Sequence, residues 1–250
     1  MKRLLHISDL HFGRLHPPAL DSLQFFIQQQ DYPFDLVIVT GDWTQRARRR
    51  QFRAAREFLL DLRSPVLSVP GNHDVPLYDL WSRLLRPMHR YKHYIEPHGV
   101  NVFRDRDAVV VGISTVTRFA VQEGKVHSRE LERAQAEFAS AAPGATRILA
   151  CHHGLPEEAS LKLNADVILS GHTHSSAVEL KCYQGRSAVL SVRSGTTVSA
   201  RWREEVNCFH VLSVSGRDVA VETYDLGASG FVAREIQPTL YRLPIPHSVY

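Results

Sequence analysis

Short apolar runs alternate with amphipathic segments along the first half of the chain. The apolar runs are rich in β-branched residues and predict buried strands at 4–7, 36–40 and 66–69. Apolar residues recur at helical spacing between the first two runs, which predicts a helix over 18–29. A second helix with one apolar face is predicted between Asp42 and Pro65. Strands that alternate with helices favour a parallel sheet with right-handed crossovers, in which the strand ends and the loops after them carry the chemistry.

The pattern changes in the second half of the chain. Further buried strands are predicted at 109–113, 148–151 and 167–169, and a helix over 128–140 is predicted with Ser128 as its N-cap. From Val178 onward, short alternating runs separated by turn residues predict antiparallel strands at 189–192, 208–214 and 219–224. A βαβ sheet with a second sheet packed on it satisfies both halves. The predicted fold class is therefore α/β, a four-layer α/β/β/α sandwich with two packed mixed sheets.

Length and composition are those of an ordinary globular domain. At 250 residues, the chain is expected to form a single domain over 1–250, with the stretch 231–250 as a C-terminal packing tail. No apolar run is long enough to cross a bilayer, and the run after Met1-Lys2-Arg3 is too short for a signal peptide, so we expect a cytoplasmic protein. The three cysteines are an odd number with no close pair, which argues against a disulfide framework or a cysteine-ligated zinc site.

The chain is basic, with a formal net charge of +4 and a sequence pI near 9.1. A positive charge favours anionic partners such as phosphorylated substrates or nucleic acid, and does not choose between them. Most of the basic residues are arginines, whose planar fork suits bidentate contact with phosphate, although a high-GC genome would produce the same bias.

Five polar motifs directly follow predicted strands. They are Asp9-Leu10-His11, Gly41-Asp42, Gly71-Asn72-His73-Asp74, His152-His153-Gly154 and Gly171-His172-Thr173-His174. Because parallel strands end at the same edge of a sheet, side chains that are far apart in sequence can meet there. Carboxylate, amide and imidazole groups suit manganese, iron or zinc, and cysteine is absent from every motif. The sequence therefore predicts one metal site built from all five motifs.

Two metal ions are expected in this site. A carboxylate can bridge two cations, while imidazoles and an amide oxygen complete each coordination shell and leave room for water. Cations about 3.5–4 Å apart can share a hydroxide and neutralise charge on a phosphoryl oxygen during in-line displacement, which is the chemistry of phosphate ester hydrolysis. Gly41 and Gly71 permit tight turns straight after their strands and are expected to bring the backbone close to the metals.

In this order, the motifs resemble those of the calcineurin-like metallophosphoesterase superfamily over the span from Asp9 to His174. The stretches 41–44 and 70–78 look most like the bacterial cyclic-nucleotide phosphodiesterase group. The resemblance implies two divalent or trivalent metal ions, which would be Mn, Fe or Zn. The implied ligands are Asp9, His11 and His174 for one metal, Asn72, His152 and His172 for the other, and Asp42 as the bridge. It also implies that His73 contacts the substrate phosphate and assists the leaving group, a general-acid role that suits an imidazole near pH 7.

The fourth motif leaves an alternative open. Family members often carry His-His-Pro where this chain has His152-His153-Gly154, with the first histidine as the ligand. His152 is therefore the expected ligand, and His153 is left as a residue that could support this ligand without binding the metal itself.

Two arginines are candidate substrate contacts. Arg46 falls where the phosphoprotein phosphatases of the superfamily place a phosphate-binding arginine, but it also begins a basic run typical of a solvated helix face. The same phosphatases have an aspartate where this chain has Gln45, which disfavours that activity. Arg118 lies in the segment 114–124, which is either one wall of the substrate site or an ordinary loop.

The predicted function is that of a dinuclear metal-dependent phosphodiesterase, which hydrolyses a phosphodiester bond by in-line attack of a metal-bridging hydroxide. Cyclic nucleotides or similar small diesters are the expected substrates, so the expected partner is a small phosphorylated molecule, in particular a nucleotide. Nucleic acid is not favoured as a partner, no membrane span is expected, and a homodimer is compatible with the resembling group.

Other functions stay open. A pyrophosphatase of a UDP-linked lipid precursor would use the same site, although the sequence shows no clear amphipathic helix for docking to a membrane. A DNA-processing nuclease would need capping and partner-binding regions, for which little sequence remains after Gly195. A metal-binding scaffold without catalysis is disfavoured by the presence of His73. A nucleic-acid-binding role without hydrolysis would show steep salt dependence.

Overall fold

The computed structural model describes residues 1–117, 124–182, 188–201 and 205–244 of the chain. The strands are β1 (Lys2–Ile7), β2 (Leu36–Thr40), β3 (Val66–Val69), β4 (Val102–Arg104), β5 (Ala108–Gly112), β6 (Thr146–Ala150), β7 (Val167–Ser170), β8 (Ala177–Lys181), β9 (Val189–Arg193), β10 (Cys208–Ser215), β11 (Asp218–Gly227), β12 (Gly230–Ala233) and β13 (Thr239–Arg242). The α-helices are α1 (Pro17–Gln28), α2 (Arg49–Asp61), α3 (Leu80–Leu85), α4 (His89–Tyr94), α5 (Ser128–Ala139) and α6 (Glu157–Leu163). The strands and helices predicted from the sequence are all present, with ends displaced by a few residues.

The strands form two mixed sheets. The first sheet has the order β12-β11-β10-β1-β2-β3, with β13 also paired to β11. The second sheet has the order β4-β5-β6-β7-β9-β8. Parallel pairing joins β1, β2 and β3 in the first sheet, and β5, β6, β7 and β9 in the second, while the remaining pairs are antiparallel. The predicted α/β class with two mixed sheets is confirmed.

Three apolar layers hold the sandwich together. Leu4 belongs to the layer between the sheets, which joins buried residues of both. The next residue, Leu5, points to the opposite face of its strand and packs in the layer that contains Leu23 of α1 and Phe52 of α2. On the outer face of the second sheet, Phe138 of α5 belongs to a third layer. The parallel strands are therefore buried on both faces, which explains their continuous apolar sequences.

Two details differ from the prediction. Ser128 is the first helical residue of α5 and not its N-cap, because the backbone of His127 is extended at φ −83° and ψ 140° and takes the capping position. The antiparallel arrangement predicted after Val178 is wrong for β9, which pairs parallel with β7. The reason is that β8 lies at the sheet edge and pairs antiparallel with β9, so that β9 returns beside β7 in the same direction.

The stretch from 231 contributes strands in its described part. β12 and β13 both pair antiparallel with β11 and so extend the edge of the first sheet. The end of the predicted tail, 245–250, lies outside the described residues. Within the four described ranges, no helix combines the length and the apolar character that crossing a membrane requires.

Candidate metal centre

The predicted ligands lie at the carboxyl ends of parallel strands in both sheets. After β1, β2 and β3 of the first sheet come Asp9 and His11, Asp42, and Asn72. After β6 and β7 of the second sheet come His152, His172 and His174. These strand ends meet at one edge of the sandwich, and the seven side chains gather there in two groups.

The first group consists of Asp9, His11, Asp42 and His174, whose nearest donor atoms all lie within 4.8 Å of one another. The Nε2 atoms of His11 and His174 are 3.1 Å apart. His174 Nε2 lies 3.2 Å from Asp9 Oδ1. All four side chains are buried. Two imidazole nitrogens and a carboxylate oxygen thus face one small space, as the ligands of a metal ion would.

The second group is built around the amide of Asn72. Its Oδ1 lies 3.0 Å from His152 Nε2 and 3.1 Å from His172 Nδ1. In this second group, too, one oxygen and two imidazole nitrogens lie close together. The amide oxygen suits a borderline divalent cation in company with imidazole.

Asp42 lies between the two groups. Its Oδ2 is 3.8 Å from His11 Nε2, and its Oδ1 is 3.5 Å from His152 Nε2. Burial raises the pKa of Asp42 well above its ordinary value, and the carboxylates of Asp9 and Asp74 raise it further. Asp9 Oδ1 is buried and accepts no aligned hydrogen bond. A buried oxygen without a hydrogen bond beside a second carboxylate is a costly arrangement that bound cations would satisfy, so these residues fit a metal centre.

Five of the seven predicted ligands have a left-handed backbone. The φ angles are 52° at Asp9, 50° at His11, 54° at Asp42, 73° at His172 and 61° at His174. A non-glycine residue in this region carries strain of roughly 1–2 kcal/mol. The loops are fastened to each other, since the amide of His11 donates to the carbonyl of Asp42 at 2.9 Å. Backbone strain concentrated on the side chains that converge is typical of a functional site.

Two glycines allow the loops to approach closely, as predicted. Gly41 has a φ of +91°, and a Cβ there would lie 2.6 Å from His152 Nδ1. A Cβ on Gly71 would lie 2.1 Å from Asp42 Oδ1. No side chain fits at either position without moving a predicted ligand.

Backbone carbonyl groups orient two of the imidazoles. His152 Nδ1 lies 2.7 Å from the carbonyl oxygen of Thr40, and His174 Nδ1 lies 3.0 Å from that of Arg201. A carbonyl oxygen only accepts, so each Nδ1 carries the proton and each Nε2 presents its lone pair to the centre. This is the tautomer that a metal ligand needs.

The carboxylate of Asp74 ties two of the loops together. It accepts hydrogen bonds from the amides of Gly71, Trp43 and Thr44, at 2.9, 3.2 and 2.9 Å. These bonds join the loop after β2 to the loop after β3. The sequence pattern included Asp74 in a motif but did not indicate this role.

His73 lies beside the first group with its ring edge-on to that of His11, at 4.9 Å between centroids. Its Nδ1 lies 2.8 Å from the carbonyl oxygen of Gln45, and its Nε2 lies 2.8 Å from Arg201 Nη1. A carbonyl only accepts and a guanidinium only donates, so the proton is on Nδ1 and Nε2 accepts from Arg201. Burial lowers the pKa of His73 to about 4, with the cationic Arg201 and Arg46 acting in the same direction.

Of the two candidate substrate contacts, only Arg46 falls within the described residues. Its guanidinium lies over the ring of Tyr78, 5.7 Å from the centroid, and it lines a small cavity together with Asn72 and His73. Arg46 is thus at the rim of the centre. Arg118 lies outside the described residues.

His153 lies against the second group. Its ring centroid is 4.3 Å from that of His172, and its Nδ1 is hydrogen-bonded to Thr115 Oγ1 at 2.8 Å. Its Nε2 is buried without a hydrogen-bond partner. The position is compatible with the supporting role left open for it.

Site residues that the sequence pattern did not reveal come from the segment after β9. Thr196 Oγ1 donates to the carbonyl of Asp9 at 2.8 Å, and the amide of Thr197 donates to the carbonyl of Ser8 at 3.0 Å. Arg201 follows in the same segment. The segment 194–201 directly follows β9 and so begins at the same edge of the sandwich, which is the signal that could have indicated these residues. Their residue types are not those of metal ligands, so the motif pattern did not include them.

The metallophosphoesterase class is defined by this combination of fold and site. The fold is a two-sheet α/β sandwich, and aspartate, histidine and asparagine side chains gather at the ends of its parallel strands. The chain belongs to the calcineurin-like phosphoesterase family, whose model matches residues 2–176. This confirms the predicted superfamily. The matched span contains all seven predicted ligands and ends before Arg201.

Curated relatives point to a bacterial group within the family. The chain is 27% identical to the 3′,5′-cyclic adenosine monophosphate phosphodiesterase CpdA of Escherichia coli strain K12, over 62% of this chain and 56% of the relative. The corresponding protein of Escherichia coli O157:H7 matches to the same extent. The chain thus spans about half the length of the curated relatives it matches.

Solved structures share the fold. Vps29 of Chaetomium thermophilum superposes with a TM-score of 0.51 at 16% identity, covering 100% of this chain and 99% of that protein. Vacuolar Protein Sorting 29 of Cryptosporidium parvum superposes with a TM-score of 0.50 at 18% identity, covering 96% of this chain and 98% of the other. At these identities, the likeness concerns the fold alone.

Proposed function

We propose that this chain is a dinuclear metal-dependent phosphodiesterase that acts on a small anionic diester. The observation that carries the proposal is the position of Asp42, whose two carboxylate oxygens face different ligand groups at 3.8 and 3.5 Å. A carboxylate held in this way can belong to two coordination shells at once.

Each group would hold one cation. Asp9, His11 and His174 would bind the first, Asn72, His152 and His172 the second, and Asp42 would be shared. Manganese, iron and zinc all suit these donors. When bound, such a pair supplies Lewis-acid stabilisation of phosphoryl charge and lowers the pKa of water, so that a nucleophile exists near neutral pH.

The chain's own residues would position the substrate. His73 is the residue proposed to face the leaving group, since its ring lies beside His11 and its Nε2 points away from the Gln45 carbonyl that holds Nδ1. Arg46 lies at the rim of the same cavity and offers a positive charge to the phosphate. The hydrogen bond from Nδ1 to Gln45 fixes the ring, so the imidazole is oriented before substrate arrives.

A cyclic nucleotide is the substrate we favour. The support is the likeness to CpdA, whose name states cyclic adenosine monophosphate as its substrate. The ring of Tyr78, already in contact with Arg46, could also stack on a base.

A second candidate is an amphiphilic substrate such as a UDP-linked lipid precursor, and α3 is the observation that favours it. Leu80, Trp81 and Leu85 of this helix expose 65%, 78% and 71% of their surface, and Tyr78, just before the helix, exposes 73%. The same helix carries Arg83, which lines the cavity with His73. Exposed apolar side chains next to a basic phosphate site could hold an acyl chain or contact a lipid surface. The sequence pattern had not indicated this helix.

A substrate panel tests the proposal. Protein of measured metal content would be assayed with bis-p-nitrophenyl phosphate, 3′,5′-cyclic AMP and a UDP-linked lipid diphosphate, beside the isosteric variant Asp42→Asn. We expect hydrolysis of at least one diester that is abolished by a chelator, restored by manganese or zinc, and lost in Asp42→Asn. Metal-loaded wild-type protein that hydrolyses none of them would refute the function.

A further inference from the structure

Arg201 links two parts of the centre that no sequence motif connects. Its Nη1 donates to His73 Nε2 at 2.8 Å. Its own carbonyl oxygen accepts from His174 Nδ1 at 3.0 Å. One residue therefore contacts both a proposed metal ligand and the residue proposed to face the leaving group, although it lies beyond the span that the family model matches.

The fold fixes the backbone on which Arg201 is mounted. The amide of Ala200 donates to the carbonyl of Arg14 at 2.9 Å, which fastens this segment to the loop after β1. Asn207 Nδ2 donates to the carbonyl of Ser199 at 2.9 Å, and the amide of Arg201 donates to Ser199 Oγ at 3.1 Å. The guanidinium is thus presented to the centre from an anchored segment.

The electrostatic surroundings of Arg201 favour an anion. Its side chain is partly buried, and burial lowers the pKa of its guanidinium. The positive charges of Arg14 and Arg46 lower this pKa further. Asp42 and Asp9 act in the opposite direction. If Asp42 and Asp9 bind two cations, the metals neutralise the negative charge of these carboxylates, which then no longer stabilises the charge of Arg201. An anionic ligand shared by Arg201 and Arg46 would then supply the missing negative charge.

The geometry also places Arg201 within reach of a ligand of His73. A guanidinium presents five N–H groups in a planar fork, and the contact with His73 engages Nη1. A phosphoryl oxygen brought up beside His73 could therefore accept from the remaining N–H groups of this fork. A phosphoryl group has further oxygens with which to complete a bidentate contact.

We propose that Arg201 is a substrate-binding residue that donates hydrogen bonds to phosphoryl oxygens and exchanges its contact with His73 for them. The inference rests on the proposed function and deepens it, because it names the residue that recognises the anionic phosphate. In the free protein Arg201 donates to His73 Nε2, and with phosphate bound it releases that nitrogen and donates to the phosphoryl oxygens instead. No covalent step is involved.

The test compares Arg201→Met, Arg201→Lys and the control Arg53→Met, which removes an exposed arginine of α2. Metal content, the affinity of metal-loaded protein for inorganic phosphate by calorimetry, and kcat and KM on bis-p-nitrophenyl phosphate would be measured. We expect unchanged metal content in all three variants. For Arg201→Met we expect phosphate affinity and kcat/KM lower by about 10- to 100-fold, as loss of a charge-assisted hydrogen bond predicts. Arg201→Lys should be intermediate, and Arg53→Met should match the wild type.

The outcomes separate this inference from the function on which it rests. Arg201→Met with wild-type phosphate affinity would overturn the inference, whether or not the protein hydrolyses diesters. A loss of affinity that is matched by loss of metal would also overturn it, because the arginine side chain would then act only by keeping the metal ligands in place. If wild-type protein binds phosphate through Arg201 but cleaves no diester, the proposed function fails and the phosphate contact stands.

Discussion

Gly71 lies directly against the carboxylate of Asp42, so closely that a Cβ on residue 71 would be 2.1 Å from Oδ1. The amide of His73, two residues later, donates to the same oxygen at 2.8 Å. The loop after β3 therefore determines where the proposed bridging carboxylate can lie. A change of one methyl group in this loop should be felt in both ligand groups.

Gly71→Ala should lower metal content and activity. The added methyl must displace Asp42, and we expect both metal ions to bind at least tenfold more weakly, with a loss of stability of about 1–3 kcal/mol from overpacking. Metal titration and chemical denaturation would measure the two effects. Gly154→Ala is the matched control, because a Cβ on Gly154 would meet nothing within 4 Å. Equal metal affinity in both variants would show that Asp42 is not a ligand.

His73→Ala should slow turnover without removing metal. His73 is not in either ligand group, and loss of a group that assists a leaving oxygen typically costs about 10²- to 10⁴-fold. The loss should be larger for cyclic AMP, whose sugar leaving group is poor, than for bis-p-nitrophenyl phosphate, whose leaving group needs little assistance. Parallel kcat measurements on the two substrates check this. The same fold-loss on both would remove the leaving-group role from His73.

Stability should depend on pH through two buried histidines between the sheets. The rings of His6 and His210 stack with centroids 5.8 Å apart. Burial lowers the pKa of His210 from 6.5 to about 4 and lowers that of His6 well below its ordinary value. The unfolded chain therefore binds more protons between pH 4 and 6.5. The stability contributed by keeping these rings neutral is complete above pH 6.5 and is lost as the pH falls towards 4.

The variant His210→Gln isolates this effect. For His210 alone, the free energy of unfolding should fall by about 2 kcal/mol between pH 7 and pH 5. Denaturation across that range should therefore show the free energy of unfolding of the wild type falling relative to that of His210→Gln as the pH is lowered. A difference that does not change with pH would show that His210 titrates alike in the folded and unfolded chains.

Truncation of Trp81 should affect stability far less than truncation of Trp43. Trp81 on α3 is 78% exposed, so Trp81→Ala should change stability by less than about 0.5 kcal/mol. Trp43 is fully buried, and its Nε1 donates to Ser68 Oγ at 2.7 Å, so Trp43→Ala should cost about 3–5 kcal/mol.

If the substrate is amphiphilic, Trp81→Ala will raise KM for the lipid-linked diphosphate and leave hydrolysis of bis-p-nitrophenyl phosphate unchanged. Unchanged kinetics on both would exclude α3 from substrate binding.

The sequence predicted the fold and the proposed ligands for the same physical reason. Apolar runs mark the strands, and Asp9, Asp42 and Asn72 stand out as polar residues directly after them. Arg201 could not be found in this way, because an arginine among Ser and Thr residues looks like any surface loop. Its place depends on the long-range pairing of its segment with the loop after β1.

Other features depend on tertiary structure that no local pattern contains. The left-handed backbone at Asp9 and His174 is disfavoured locally and is maintained by contacts between loops. The parallel pairing of β9 with β7 arises because β8 occupies the sheet edge. The exposed helix α3 is too short for a periodic pattern to reveal.

Anomalous diffraction from crystals grown with manganese would show whether two metal ions share Asp42. We expect two anomalous peaks, one beside Asp9, His11 and His174 and the other beside Asn72, His152 and His172, with an Asp42 oxygen bound to each. A single peak, or peaks that have no contact with Asp42, would disprove the shared carboxylate.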